Sequence, residues 1–324
     1  MTDIDQLVSG VLDGSRRALA RLITRIESTR KDHRGEAADA IARLLPETGK
    51  SIRIGISGVP GVGKSSFIET FGLHVVEQGH KVAVLAVDPS SPKHGGSILG
   101  DKTRMEKLAR HPHAYVRPSP SSGSLGGVAR RTRETIMAVE AAGFDVVLVE
   151  TVGVGQSEYA VADLVDMFVL LVAPGGGDDL QGIKKGIVEM ADLLVVTKND
   201  GDLQKAASRA FQDYSSAIRM LQGGNEVWRP EVLRCSAHTG DGIAEVWSRI
   251  ETYRKAVEEA GLIESKRAEQ AASWMWDEVT STLLSEVRRK GGLGERLEAE
   301  VRAGKRTPAD AAREILARFD LNNL

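Results

Sequence analysis

The chain has 324 residues, which at about 150 residues per domain predicts roughly two domains, or one large domain with attachments. Its 43 Lys and Arg against 45 Asp and Glu leave a formal net charge of -2, which argues against a dedicated nucleic-acid binder. One cysteine, Cys235, excludes an intrachain disulfide framework and fits a reducing compartment, and seven scattered histidines leave little material for a zinc cage.

The start, Met1-Thr2-Asp3-Ile4-Asp5, is acidic and carries no basic segment before an apolar run, so no secretion signal is expected. No apolar stretch is long enough to span a bilayer. A cytoplasmic chain with no membrane partner and no nucleic-acid partner is the expectation. Residues 1–46 read as helical, since Leu7, Val11, Leu12, Leu19, Leu22, Ile23 and Ile26 recur near a 3.6-residue period. Gly10 and Gly14 weaken the first turns, so the firm part is expected to begin near Ser15. A second helix carries Ala37, Ile41, Leu44 and Leu45 and stops at Pro46, giving two short helices ahead of the main domain.

From Ser51 to about Arg249 short apolar runs alternate with helical stretches. Strands are predicted at Ile52–Ile56, Val82–Val87, Asp145–Val149, Met167–Val172, Leu193–Thr197 and Val232–Cys235, with a minor one at Ala114–Arg117. Most are continuously apolar, as in a parallel sheet buried on both faces, so the fold class is α/β, doubly wound and mostly parallel. Beyond Glu251 the strands cease. Met275, Val279, Leu283 and Val287 make one helical face, Gly291-Gly292 breaks the chain, and Leu293, Leu297 and Val301 begin another helix. The last helix is expected to have Thr307 as its cap, Pro308 at its first position and Ile315, Leu316 and Phe319 on its apolar face. Trp274 and Trp276 suit either packing on the main domain or a subunit interface. The expected partition is a helical extension over 1–50, the α/β domain over 51–250 and a helical region over 251–324.

The first strand runs into Gly58-Val59-Pro60-Gly61-Val62-Gly63-Lys64-Ser65-Ser66, which satisfies G-x-x-x-x-G-K-[ST] between a strand and a helix. Glycines let backbone N–H groups curl around phosphate oxygens, and the helix N-terminus adds partial positive charge. Gly58, Gly61, Val62, Gly63, Lys64, Ser65 and Ser66 are therefore the expected phosphate cradle. Lys64 would neutralise the β- and γ-phosphates and the Ser65 hydroxyl would bind Mg²⁺. Acidic groups near strand ends complete such a site: Asp88 after Val82–Val87, Asp101 after a Gly-rich segment, and Glu150 after Asp145–Val149. Spacing does not say which of them touches the metal directly.

Glu150 leads into Thr151-Val152-Gly153, and Gly153 is placed to present its N–H to a γ-phosphate and to move when that phosphate leaves. Gln156 stands three residues beyond Gly153, farther than the usual place of a water-orienting residue. Pro174-Gly175-Gly176-Gly177 and the following residues to Lys185 are either a plain loop or a second switch. Thr197-Lys198-Asn199-Asp200 is one residue away from the N-K-x-D pattern of GTP-binding proteins. The Asp200 carboxylate would accept from guanine N1 and N2, the Lys198 stem would lie along the base, and the Ser236-Ala237 loop would face guanine O6. Threonine in place of the first asparagine is expected to remove an amide that braces the phosphate loop.

Together these motifs resemble the MeaB/ArgK branch of the metallochaperone-like P-loop GTPases, the GTPase chaperones associated with methylmalonyl-CoA mutase. The resemblance is carried by Ser57–Ser65, by Ala86-Val87-Asp88-Pro89-Ser90-Ser91-Pro92, by Gly95–Asp101, by Glu150–Gln156 and by Pro174–Gly177, and it spans essentially the whole chain. It implies GTP hydrolysis on Mg²⁺ and a homodimer joined through the C-terminal helices. It also implies an adenosylcobalamin-dependent methylmalonyl-CoA mutase as the partner that accelerates hydrolysis, whose cofactor loading is gated and which is protected from inactivation. By the same resemblance Asp101 belongs to switch I, Glu150 and Gly153 to switch II, and Asp178 to Lys185 to switch III. Lys64, Asp101, Glu150 and Gly153 are thus the expected catalytic group, and Ser65, Asp88, Asp101 and Glu150 the expected metal set. The competing readings are a nickel-insertion GTPase, which lacks here the usual His-rich tail or Cys motif, and a GTP-binding scaffold without catalysis.

Overall fold

The computed structural model describes residues 3–28, 30–87, 105–117, 125–151, 157–175, 185–221, 227–289 and 292–318. Among them seven strands form one sheet: β1 (Ile52–Gly58), β2 (Val82–Val87), β3 (Ala114–Arg117), β4 (Val146–Thr151), β5 (Met167–Val172), β6 (Leu193–Val196) and β7 (Glu231–Arg234). All pairings are parallel and the order is β3-β2-β4-β1-β5-β6-β7. The α/β expectation holds. β1 lies at the centre, with Ile54 opposite Leu148 on one side and Met167 on the other. Order reverses around β1, and ligands in such sheets bind outside the carboxyl ends of the strands at that reversal. β1 runs two residues beyond its expected end because Ser57 and Gly58 pair with Leu170 and Leu171 of β5.

The helices are α1 (Asp3–Leu12), α2 (Arg16–Ile26), α3 (Lys31–Leu44), α4 (Lys64–Glu77), α5 (Glu106–Arg110), α6 (Leu125–Ala141), α7 (Ser157–Ala162) and α8 (Lys185–Glu189). They continue with α9 (Gln204–Leu221), α10 (Ile243–Glu259), α11 (Leu262–Arg289), α12 (Leu293–Arg302) and α13 (Pro308–Arg318). Ile52, Ile54 and Ile56 of β1 and Phe67, Ile68 and Phe71 of α4 are all at most 1% exposed, so the strand and helix that flank the phosphate loop share one core. Each such side chain contributes about 1.5–3 kcal/mol by leaving water.

The N-terminal region departs from expectation. Three helices, not two, precede β1, and they pack on one another and on α6. Gly10 is a contact rather than a weakness: a Cβ there would lie 2.7 Å from Ala18 Cβ, so glycine is what lets α1 cross α2. Gly14, at φ 73°, ends that crossing, and Ser15 then caps α2 by accepting from Ala18 N at 3.4 Å.

The chain divides into two compact units, Met1–Gln270 and Ala271–Leu324. The first two turns of α11 belong to the first unit and are tied to the strand starts. Arg267 donates from Nε to Asp166 Oδ1 at 2.8 Å and from Nη2 to Asp166 Oδ2 at 2.6 Å, while Lys266 Nζ reaches Asp166 O at 2.9 Å. Beside it Arg53 and Glu140 form a buried fork at 2.8 and 2.9 Å. Within the second unit Thr307 caps α13 as expected, accepting from Asp310 N at 3.3 Å. Of the expected apolar face of α13, Ile315 is half-buried, Leu316 is exposed and Phe319 lies outside the described residues, while Ala311 is the covered residue.

Candidate functional site

The phosphate loop leaves the central strand at its carboxyl end. Gly61 and Gly63 take φ of 80° and 98°, a left-handed backbone that side-chain-bearing residues rarely adopt. Val62 turns inward and is fully buried, which holds the loop on the core while the glycines turn around it. α4 starts at Lys64, and its first N–H groups have no acceptor within the helix. That is the anion-binding geometry the motif requires.

Lys64 Nζ donates to Gly58 O at 2.6 Å, so the ammonium is curled over its own loop. Burial pulls its pKa below the usual lysine value, while the nearby carboxylates of Glu150 and Glu158 act the other way. Glu150 sits at the end of β4, in register with Ile56 of β1 and Ala86 of β2, and is 4% exposed. Its neighbour Thr151 is buried and its Oγ1 hydrogen-bonds Ser57 Oγ at 3.1 Å, which fixes the end of β4 against the strand that carries the loop. The expected acids Asp88 and Asp101, and with them Gly153, Gln156 and the segment from Gly176 to Lys184, lie outside the described residues.

The second half of the site is built on the ends of β6 and β7. Thr197 is 3% exposed and its Oγ1 donates to Val62 O at 2.7 Å. The threonine therefore replaces the brace that its substitution for asparagine was expected to remove: one hydroxyl reaches the loop carbonyl without an amide. Lys198 has φ 55°, and its Nζ donates to Gly61 O at 2.7 Å. Asp200 accepts a close hydrogen bond from Ser236 Oγ, which in turn accepts from His238 N at 3.2 Å and Thr239 N at 3.1 Å. Ala237 O accepts from Thr70 Oγ1 of α4 at 2.8 Å. Lys198, Asp200, Ser236 and Ala237 thus gather on one flank of the phosphate loop and are tied to it.

Two residues of this arrangement, Thr70 and Glu158, escaped the sequence. Thr70 and Ala237 are 167 positions apart, and no local pattern announces their bond. Glu158 is 4% exposed although it lies eight residues past Glu150 in a short helix; its acidic character among apolar neighbours was the available signal. Cys235 is buried, and desolvation pushes its thiol up to about 12. Among the described residues no cluster of His, Cys, Asp and Glu could hold a metal by itself, and no helix is long and apolar enough to cross a membrane.

The comparisons agree with this geometry. A model of the family described as methylmalonyl Co-A mutase-associated GTPase MeaB matches residues 19–291. A probable GTPase of Mycobacterium tuberculosis is 54% identical over 97% of this chain and 94% of its own length. The mitochondrial methylmalonic aciduria type A homolog of Mus musculus is 47% identical over 98% of this chain and 79% of its own. A crystal structure described as a LAO/AO transport system kinase superposes with a TM-score of 0.76 at 33% identity, covering 98% of this chain and 99% of that one. With a P-loop on the central strand, the chain belongs to the MeaB family of P-loop GTPases.

Proposed function

We propose that this GTPase acts as a chaperone of an adenosylcobalamin-dependent methylmalonyl-CoA mutase, using GTP binding and hydrolysis to gate cofactor loading and protect the mutase. The observation that carries the nucleotide half of this reading is the fastening of the base corner to the phosphate loop through Thr197–Val62 and Lys198–Gly61. Asp200, held by Ser236, would pair with guanine N1 and N2, an arrangement adenine cannot satisfy. Gly58, Gly61, Val62, Gly63, Lys64, Ser65 and Ser66 would receive the phosphates.

Mg²⁺ fits the chemistry of the donors: a hydroxyl from Ser65 in the first turn of α4 and a buried carboxylate from Glu150, both hard oxygen ligands. Ser65 and Glu150, with Asp88 and Asp101, would hold it, and when bound it supplies charge that neutralises the β- and γ-phosphates. Lys64 would release Gly58 O for phosphate oxygens, and catalysis would consist of positioning and electrostatics, with no covalent enzyme intermediate.

The mutase partnership rests on family membership and on the name of the matched family. For the assembly state we read the extension over 1–50 as part of the GTPase body and the region over 251–324 as the dimerisation region. Its support is the face of α11 formed by Met275, Trp276, Val279, Leu283 and Leu284, all exposed on a single chain. Trp276 is 64% exposed, which favours the subunit-interface reading for it. The deciding experiment is GTP turnover by the purified chain with and without a cobalamin-dependent mutase. Stimulated turnover together with co-elution is expected. If added mutase changes neither nucleotide affinity nor hydrolysis rate, the chaperone reading fails, and GTP binding without turnover would leave the scaffold reading in its place.

A further inference from the structure

The turn that follows β7 is closed by its own hydrogen bonds. Ser236 N donates to Asp241 O and Gly240 N donates to Ser236 O, both at 2.9 Å, while Ser236 Oγ accepts from His238 N and Thr239 N. Asp241 N donates to Thr239 Oγ1 at 3.3 Å. Gly242 returns the chain so near the strand that a Cβ there would lie 2.2 Å from Arg234 O. Among the described residues, each N–H from Ser236 to Asp241 has an acceptor except that of Ala237. Guanine O6 can accept from such an N–H, whereas the 6-amino group of adenine is itself a donor.

The carbonyl of the same residue is held from outside the turn. Thr70 Oγ1 of α4 donates to Ala237 O at 2.8 Å. A threonine inside a helix commonly turns its hydroxyl to the carbonyl four residues back, as Thr24, Thr135 and Thr252 do at 2.8, 2.7 and 2.8 Å. Thr70 reaches a turn 167 positions away. The helix that carries it is firmly seated. Phe67 and Phe71 are at most 1% exposed, and Phe71 meets Trp247 of α10, the helix that leaves the same turn, with ring centroids 6.0 Å apart. Ala237 is thus pinned on both sides, by Gly240 N on Ser236 O before it and by Thr70 on its own carbonyl.

We propose that Thr70 is a positioning residue for base selection: by holding the Ala237 carbonyl, it fixes the backbone on which the unpaired Ala237 N–H meets the 6-oxo group of guanine. The proposal rests on the guanine reading of the site given above. α4 begins at Lys64, so one helix offers its first N–H groups to phosphate and orients the base reader from its second turn. Asp200 serves guanine N1 and N2, so the two contacts report on different atoms of the base and can be separated by ligand.

The ligands that separate them are GDP, 6-thio-GDP, whose sulfur is a weaker acceptor than O6, inosine diphosphate (IDP), which lacks the 2-amino group, and ADP. Affinities would be measured by titration calorimetry on the full chain and on its Thr70→Val and Thr70→Ser variants. GDP should bind the parent about fivefold or more tighter than 6-thio-GDP. In T70V that ratio should fall to within about twofold of unity, while the GDP-to-IDP ratio stays within about twofold of the parental value because Asp200 is untouched. T70S should keep both parental ratios. Any loosening of the phosphate loop weakens GDP and 6-thio-GDP alike and cancels in their ratio. Valine is isosteric with threonine, and should T70V not fold, Thr70→Ala is read by the same two ratios. The proposal is overturned if T70V keeps the parental GDP-to-6-thio-GDP ratio, if the GDP-to-IDP ratio changes as much, or if T70S loses the discrimination. It is also overturned, with the guanine reading intact, if the parent rejects ADP but binds GDP and 6-thio-GDP equally. A parent that binds GDP and ADP equally removes the guanine reading and this proposal together.

Discussion

Replacing Arg267 by alanine should destabilise the GTPase unit by about 3 kcal/mol, because it strips a buried carboxylate of its countercharge. Asp166 has a side chain only 1% exposed, and its two oxygens accept from Arg267 Nε and Nη2 at 2.8 and 2.6 Å and from Arg53 N at 2.8 Å. Arg267 Nη2 also donates to Ser51 O at 2.7 Å, and Nη1 donates to Gly49 O, so the same guanidinium holds the segment that enters β1. Removing one partner of a buried pair typically costs about 3–5 kcal/mol, and the lower end applies because Arg267 is 16% exposed. Arg267→Lys keeps the charge but loses the planar fork and should cost about 1–2 kcal/mol. Asp166→Asn leaves the arginine its carbonyl acceptors, so the double variant R267A/D166N should be more stable than the sum of the singles predicts by about 2 kcal/mol. Urea unfolding followed by far-UV circular dichroism measures all four. The junction lies at the amino ends of β1 and β5, away from the phosphate loop, so GDP affinity of the folded R267A variant should be unchanged. An R267A cost below about 1 kcal/mol, or strict additivity with D166N, would show that the pair is solvated in solution and refute the reasoning.

Lys64→Ala should reduce GTP turnover about a hundredfold or more, read as phosphate release under saturating GTP; unchanged turnover would remove the lysine from the chemistry. Thr197→Val removes the hydroxyl that braces Val62 O and should weaken both GTP and GDP about five- to tenfold, equivalent to about 1 kcal/mol, whereas Thr197→Ser should not; titration with a fluorescent GDP distinguishes them. Desolvation raises the Asp192 carboxyl to about 6, against the opposing effects of Lys266 and the Phe168 N–H. A folded pKa above the unfolded value means the protonated form is favoured in the fold, so the full stabilisation is present below pH 4 and is lost as pH rises through 6. Asp192→Asn should abolish that slope, its stability relative to the parent rising by about 1–3 kcal/mol between pH 4 and pH 7, as urea melts across that range would report; a pH-independent difference would rule it out. Trp276→Glu with Leu283→Glu should convert a dimer to monomers in analytical ultracentrifugation while leaving GDP affinity intact; a parent chain that is already monomeric would end the interface reading.

Most of the strands were legible because they are continuous apolar runs, as burial on both sheet faces favours, and the phosphate loop was legible because its spacing is dictated by phosphate geometry. Strand ends were less so. The extension of β1 to Gly58 depends on pairing with Leu170 and Leu171, residues more than a hundred positions away. The helix α1 was misread because helix propensity treats Gly10 as a weakness, whereas the close approach of Ala18 makes it a requirement. Thr197 was misread for a similar reason. A single-residue departure from a motif was taken as a lost contact, although a hydroxyl at the end of a strand reaches the same carbonyl.

Those braces have a mechanical consequence for how nucleotide is recognised. Thr197 and Lys198 hold Val62 and Gly61 across 135 and 137 positions of sequence, and Ala237 accepts from Thr70 on the helix the loop begins. The three bonds involve backbone carbonyls of the phosphate loop and of the Ser236–Ala237 turn, so the base corner cannot shift without moving the cradle. Each bond contributes about 0.5–1.5 kcal/mol, and together they approach the free energy of a hundredfold change in affinity. Guanine contacts at Asp200 and phosphate contacts at the loop are therefore expected to couple, with a triphosphate binding more tightly when the base corner is intact than its own contacts require. A cycle of Thr197→Val against Asp200→Ala, read by GTP and by inorganic triphosphate, isolates that coupling. The expected pattern is a loss of inorganic triphosphate affinity in D200A as well as in T197V, with the two losses non-additive in the double variant; no effect of D200A on triphosphate would refute the coupling.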